Sequence, residues 1–169
     1  MKKFFLLSFL LALPFAMQGQ SKFHDAEVHE AVGAVKKIES TRMGRPLVVT
    51  FTQDGKMQQE GVSDAVYDAD GYLQSYKMSA MGQEFTVTIK WENGKYVGQS
   101  SEMMGQPFVT TMVFDDKGTV VGTIIKMGDR ERKSEYTDIK CDAHGNWISR
   151  KTTMMGREVE QTRTIEYYE

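Results

Sequence analysis

A single cysteine, Cys141, is the most limiting feature of the sequence, because no internal disulfide can form. Long apolar runs are equally scarce. Beyond residue 20 no stretch approaches the ~20 apolar residues that a membrane-spanning helix needs. Neither sign of charge dominates, with Lys+Arg 21 against Asp+Glu 23, so the chain has no electrostatic footprint for nucleic acid. No G-x-S-x-G nucleophile motif occurs, and nothing in the sequence supplies Cys141 with a base.

The opening segment, MKKFFLLSFLLALPFAMQGQ, has Lys2 and Lys3, an apolar run from Phe4 to Phe15, then small and polar residues. That order is the one of a secretory signal peptide, with removal expected between Ala16 and Ser21. No cysteine lies near this region, which disfavours a lipid anchor. The expectation is an exported protein, periplasmic or extracellular, in three parts: a signal peptide at 1–20, an N-terminal segment at 21–34 and a repeat domain at 35–169. Without Lys2 and Lys3 the formal charge becomes −4, mildly acidic with interspersed signs. In an oxidising compartment a free thiol survives best when buried. Lys140 is adjacent to Cys141, but neighbours along a strand point to opposite faces, so Cys141 is expected to be buried and inert.

Glycine carries the organisation. One series of turns comprises Gln53-Asp54-Gly55-Lys56, DADGY (68–72), ENGK (92–95), DDKGT (115–119) and DAHGN (142–146). A second series interleaves with it: RMGRP (42–46), AMGQE (80–84), MMGQP (103–107), KMGDR (126–130) and MMGRE (154–158). Gly71, Gly94, Gly118 and Gly145 are 23, 24 and 27 residues apart, and Gly82, Gly105, Gly128 and Gly156 are 23, 23 and 28 apart. Such alternation reads as strand, turn, strand, turn.

Asp-x-x-Gly suits a type I turn, with Asp bonding the backbone and Gly taking the left-handed residue. Asp54-Gly55 and Asn93-Gly94 are pairs favoured in two-residue hairpins. At the Met-Gly tips, Pro46 and Pro107 argue for a type I turn with a glycine bulge. Between turns the residues alternate as half-buried strands: Phe85, Val87, Ile89 and Trp91 share one face, while Thr86, Thr88 and Lys90 share the other. Small residues at Ser75, Gly98, Gly122 and Ser149 are expected to leave room for aromatics of neighbouring strands. Val28, Val32 and Val35 fit a short helix, and a strand there is almost as consistent.

The elements YDADGYL (67–73) and CDAHGNWISR (141–150) resemble the YD repeat of RHS-type proteins, as found in small exported proteins of Bacteroides-type bacteria. The resemblance covers about residues 66–169 at repeat level and implies fold, which does not carry function. Large relatives enclose a toxin in a β-shell, for which this chain has no room.

Met43, Met81, Met104, Met127 and Met155 each precede a turn glycine. Thioethers suit Cu(I), but equivalent tips two strands apart are separated by roughly 9–10 Å, too far to share one ion. The remaining readings are a partner-binding rim of flexible side chains, or methionines that close the core below each turn. His24 and His29 are five apart and do not align on one helix face, and His144 sits in a turn, so no metal site is expected. The charged segment 126–138 breaks the repeat, but its alternating signs suit a solvated hairpin. An outer-membrane barrel is disfavoured by weakly apolar strands and by the terminus Tyr167-Tyr168-Glu169.

The sequence therefore predicts an all-β antiparallel meander of about 11–12 short strands, forming a curled single sheet or partly closed barrel with aromatics inside. No catalytic residue, cofactor or metal is expected. The leading function is a non-catalytic module binding an envelope protein or glycan, with Trp91, Tyr96 and Trp147 as candidate groove aromatics. A structural envelope role and an unrecognised hydrolase are the alternatives.

Overall fold

The computed structural model describes residues 22–42, 45–80, 82–154 and 156–169. The expected signal peptide, Met43, Met81 and Met155 lie outside them. One short helix, α1 (His24–Val28), precedes twelve strands: β1 (Val35–Arg42), β2 (Arg45–Phe51), β3 (Met57–Gln59), β4 (Val62–Tyr67), β5 (Leu73–Ala80), β6 (Gln83–Glu92), β7 (Lys95–Met103), β8 (Gln106–Phe114), β9 (Val120–Met127), β10 (Arg130–Cys141), β11 (Trp147–Met154) and β12 (Arg157–Tyr167).

All pairings are antiparallel, in the order β3-β2-β1-β12-β11-β10-β9-β8-β7-β6-β5-β4. The two end strands, β3 and β4, are consecutive in the chain. The sheet has therefore curled until its edges approach, and the result is a nearly closed barrel, as the count and length of the strands predict. Closure runs through the termini: β12, the last strand, pairs with β1, the first.

The turns explain the two ends. At one end Asp68, Asp115 and Asp142 each accept from the amides two and four residues on through Oδ1, at 2.8–3.1 Å. Gly71, Gly118 and Gly145 follow with positive φ, the bulged type I turn expected of Asp-x-x-Gly. Asp54-Gly55 belongs to this group and does not form a two-residue hairpin: Gly55 N donates to Thr52 O, and the last strand pair is Phe51 with Met57. At the other end the tips are tighter than Pro107 suggested. Met104 and Gly105 have φ of 53° and 70°, a two-residue type I′ turn closed by Met103 and Gln106. Pro107 lies one position beyond the amide that closes the turn, so it obstructs nothing.

The small residues also play another part than making room for aromatics. A Cβ on Gly98 would stand 2.2 Å from Thr110 O, and one on Gly122 2.4 Å from Ser134 O. Here the backbones of adjacent strands approach, beside bulges at the acidic-turn end that sharpen the curl. The interior holds Val35, Ile38, Val49, Phe51, Leu73, Tyr76, Val87, Ile89, Tyr96 and Met112. Cross-strand partners share a face, so the row Ile89, Gln99, Thr110, Ile125, Arg132 runs along the inner wall from β6 to β10.

Candidate functional site

The acidic-turn end is sealed by the segment that precedes β1. Phe23, His24, Asp25 and Ala26 are buried. The His24 ring stacks on Tyr72 at 3.8 Å and meets the edge of Trp91 at 6.3 Å. Trp91 also packs on Tyr96 and donates its indole N–H to Leu73 O at 2.8 Å. Asp25 joins the two sheet edges, since its Oδ2 accepts from Met57 N on β3 at 2.7 Å and from Tyr67 OH on β4 at 2.8 Å. Burial raises the Asp25 pKa, and these two donors partly oppose the shift.

The rest of the segment is held by two buried arginines. Arg150 clasps the Glu30 carboxylate with both terminal nitrogens, at 2.5 and 3.1 Å. Arg163 donates to the carbonyls of His29, Glu30 and Trp147, each at 2.6 Å, and burial lowers its pKa to about 10. Both guanidinium groups lie 3.9 Å from the centre of the Trp147 ring, within cation–π range. Asn146 adds a backbone-like pair with Val32, accepting from its N–H at 2.8 Å and donating to its C=O at 2.9 Å.

A longer repeat, of 74 residues, underlies the hairpin spacings and gives this cluster its significance. Asp64, Lys77 and Glu84 form an ion triplet on the outer face, and Asp138, Lys151 and Glu158, each 74 residues on, form the same triplet. Asp64 and Asp138 share a bulge geometry, with φ of 50° and 51°. At the same offset, apolar Leu73 becomes Trp147, Tyr76 becomes Arg150 and Ile89 becomes Arg163. The second copy has thus exchanged core residues for groups that grip the N-terminal segment.

Beside that segment lies a cavity of about 270 Å³, lined among others by Glu27, Tyr96, Phe114, Cys141, Trp147 and Arg150. Of the three groove aromatics, Tyr96 and Trp147 line this cavity, while Trp91 packs beneath α1. The Trp147 N–H is buried without an acceptor among the described residues. Glu27 contacts His24 at 3.3 Å, and burial raises its pKa. Cys141 is exposed, contrary to the sequence expectation: it pairs with Trp147 on the inner-facing row, but at the last position of β10, where the sheet no longer covers it.

At the opposite end no described segment covers the barrel. Met103, Met127 and Val159 are 37%, 47% and 37% exposed although they continue inward-facing rows. Arg130 and Arg132 lie on that face of β10 and Arg157 on that face of β12, all exposed. Met104, at the β7–β8 tip, is 79% exposed. Met104 and Met127 therefore stand at the rim and do not close the core. His24 and His29 belong to the sealed end and His144 stacks on Tyr167, and among the described residues no three His, Cys, Asp or Glu side chains converge as a metal site.

No protein-family model matches the chain, and no curated protein matches its sequence.

Proposed function

We propose that this chain is a non-catalytic exported module that binds a protein or surface polymer of the cell envelope through the open end of its barrel. The observation that carries the reading is the contrast between the two ends. At one, the aromatic side chains suited to a ligand are packed against the protein's own N-terminal segment. At the other, an inner wall bearing methionine and arginine is left to solvent, the kind of adaptable surface that takes up a partner. The apolar leader supports export, and the acidic turns support kinship with YD-repeat proteins.

The test is capture from envelope fractions and on glycan arrays, comparing the wild-type chain with a Met104→Asp, Met127→Asp variant. Capture by the wild type and its loss in the variant are expected. A wild-type chain that captures nothing would favour a structural envelope role.

A second reading, hydrolysis, rests on Glu27, a carboxylate of raised pKa beside a cavity. Its partner carboxylate, Glu30, is committed to Arg150. Turnover of chromogenic glycosides or esters that disappears in Glu27→Gln would support this reading over the first.

A further inference from the structure

The chain has seven arginines, and all of them fall on five adjacent strands: Arg42 on β1, Arg45 on β2, Arg130 and Arg132 on β10, Arg150 on β11, and Arg157 and Arg163 on β12. Lysines are used differently. Lys37, Lys77, Lys126 and Lys151 pair with carboxylates on the outer face. Arg130, Arg132, Arg150, Arg157 and Arg163 thus lie on the inner face of their strands, whereas these four lysines are neutralised on the outer face. Two of these arginines, Arg150 and Arg163, are occupied by Glu30 and by backbone carbonyls of the N-terminal segment. Arg130, Arg132 and Arg157 are exposed in the mouth, and no carboxylate among the described residues forms an ion pair with them. Arg42 and Arg45 form the last backbone pair of the β1–β2 hairpin at the same end.

We infer that this mouth binds a polyanionic polysaccharide, a linear chain bearing carboxylate or sulfate groups at regular intervals; the inference rests on the reading that the open end is the binding face. Three features select that occupant. Guanidinium is planar and matches carboxylate and sulfate with two parallel hydrogen bonds, which ammonium does not. Arg130 and Arg132 are two residues apart on one strand, about 7 Å, and Arg157 is two strands away, about 10 Å. Intervals of that order match one charge per sugar or per disaccharide. Lastly, the tips carry carboxylates of their own, Asp129 in the β9–β10 turn and Glu102 beside Met103. A flat anionic bilayer would meet those acids first, whereas a flexible chain can enter between them and reach the inner row.

The test measures binding of the full chain to heparin as a sulfated probe and polygalacturonate as a carboxylated one. Neutral dextran, poly-glutamate and vesicles containing phosphatidylglycerol serve as comparisons. Salt-dependent binding of both polysaccharide anions is expected, with dextran inert. Arg130→Ser, Arg132→Ser, Arg157→Ser together should weaken it about 100-fold, since each removes a charge-assisted hydrogen bond partly screened by solvent. A control, Lys126→Ser with Lys133→Ser, should stay within about threefold. An equal loss in the control overturns the inference, as does tighter binding of vesicles or poly-glutamate than of the polysaccharides. If neither polysaccharide binds but envelope capture persists, this inference fails while the reading of the open end stands; if capture is also absent, both fail.

Discussion

Replacing Asp25 by alanine tests how the barrel is held closed. The Asp25 carboxylate is 1% exposed and receives two donors, one from each edge of the sheet. Alanine leaves the buried Met57 amide without its acceptor, while the half-buried Tyr67 hydroxyl has partial access to water. At about 1–3 kcal/mol for the unsatisfied buried amide and about 1 for the hydroxyl, less the relief from no longer burying a carboxylate, the loss should be about 2 kcal/mol. Urea denaturation reads the total, and amide hydrogen exchange reads its location, since β3 and β4 should lose protection before the remaining strands. Tyr67→Phe removes one of the two bonds and should cost about 1 kcal/mol. The pH dependence has a defined sign. The folded pKa of Asp25 is raised above 3.8, so the folded state holds this proton more tightly than the unfolded one. Its contribution is fully present below 3.8 and declines as pH rises through the folded value. The deficit of Asp25→Asn relative to wild type should therefore grow on acidification. A variant Asp25→Ala within about 0.5 kcal/mol of wild type, with unchanged exchange in β3 and β4, would refute the clasp, because that is the range of substitutions that disturb no feature.

Three further outcomes are expected. Arg150→Ala should destabilise the protein by about 3 kcal/mol, because Glu30 loses its bidentate partner in a half-buried site, and Arg150→Met with Glu30→Gln should recover most of that loss in the same denaturation assay. Gly98→Ala should cost at least about 2 kcal/mol, since its Cβ would meet the Thr110 carbonyl at 2.2 Å, whereas Gly105→Ala, with open space around it and φ of 70°, should cost about 1 kcal/mol by thermal melting. Burial and the nearby Arg163 push His29 down to about 4, so stability intact above 6.5 should be lost as pH falls toward 4, by about 2 kcal/mol for this partly covered ring. Urea curves at pH 7 and pH 4.5 measure that drop, and His29→Phe should reduce it.

The turn chemistry and strand alternation were readable because both are set by residues within a few positions of each other. Asp68, Asp115 and Asp142 cap their own turns, and Phe85 to Trp91 alternate because the pleat repeats every two residues. From these the strand count and the curl follow. The arginine segregation is also present in the sequence, as the adjacent pairs Arg132-Lys133 and Arg150-Lys151 on opposite strand faces, but a charge pattern does not separate two side chains of the same sign. The 74-residue repeat was hidden by the shorter hairpin period inside it.

The remaining features depend on tertiary structure, because their partners are distant along the chain. Which end is sealed depends on Asp25 meeting Met57, Glu30 meeting Arg150 and Asn146 meeting Val32, pairs separated by 32, 120 and 114 residues. No local pattern announces them. The same closure moved the aromatics under α1 and left Cys141 uncovered. The sequence by itself determined a meander of about 11–12 strands with two kinds of turn; only the closing of the barrel decided which end its own N-terminal segment fills and which end that segment leaves uncovered, since curvature brings remote strand ends together and local chemistry does not.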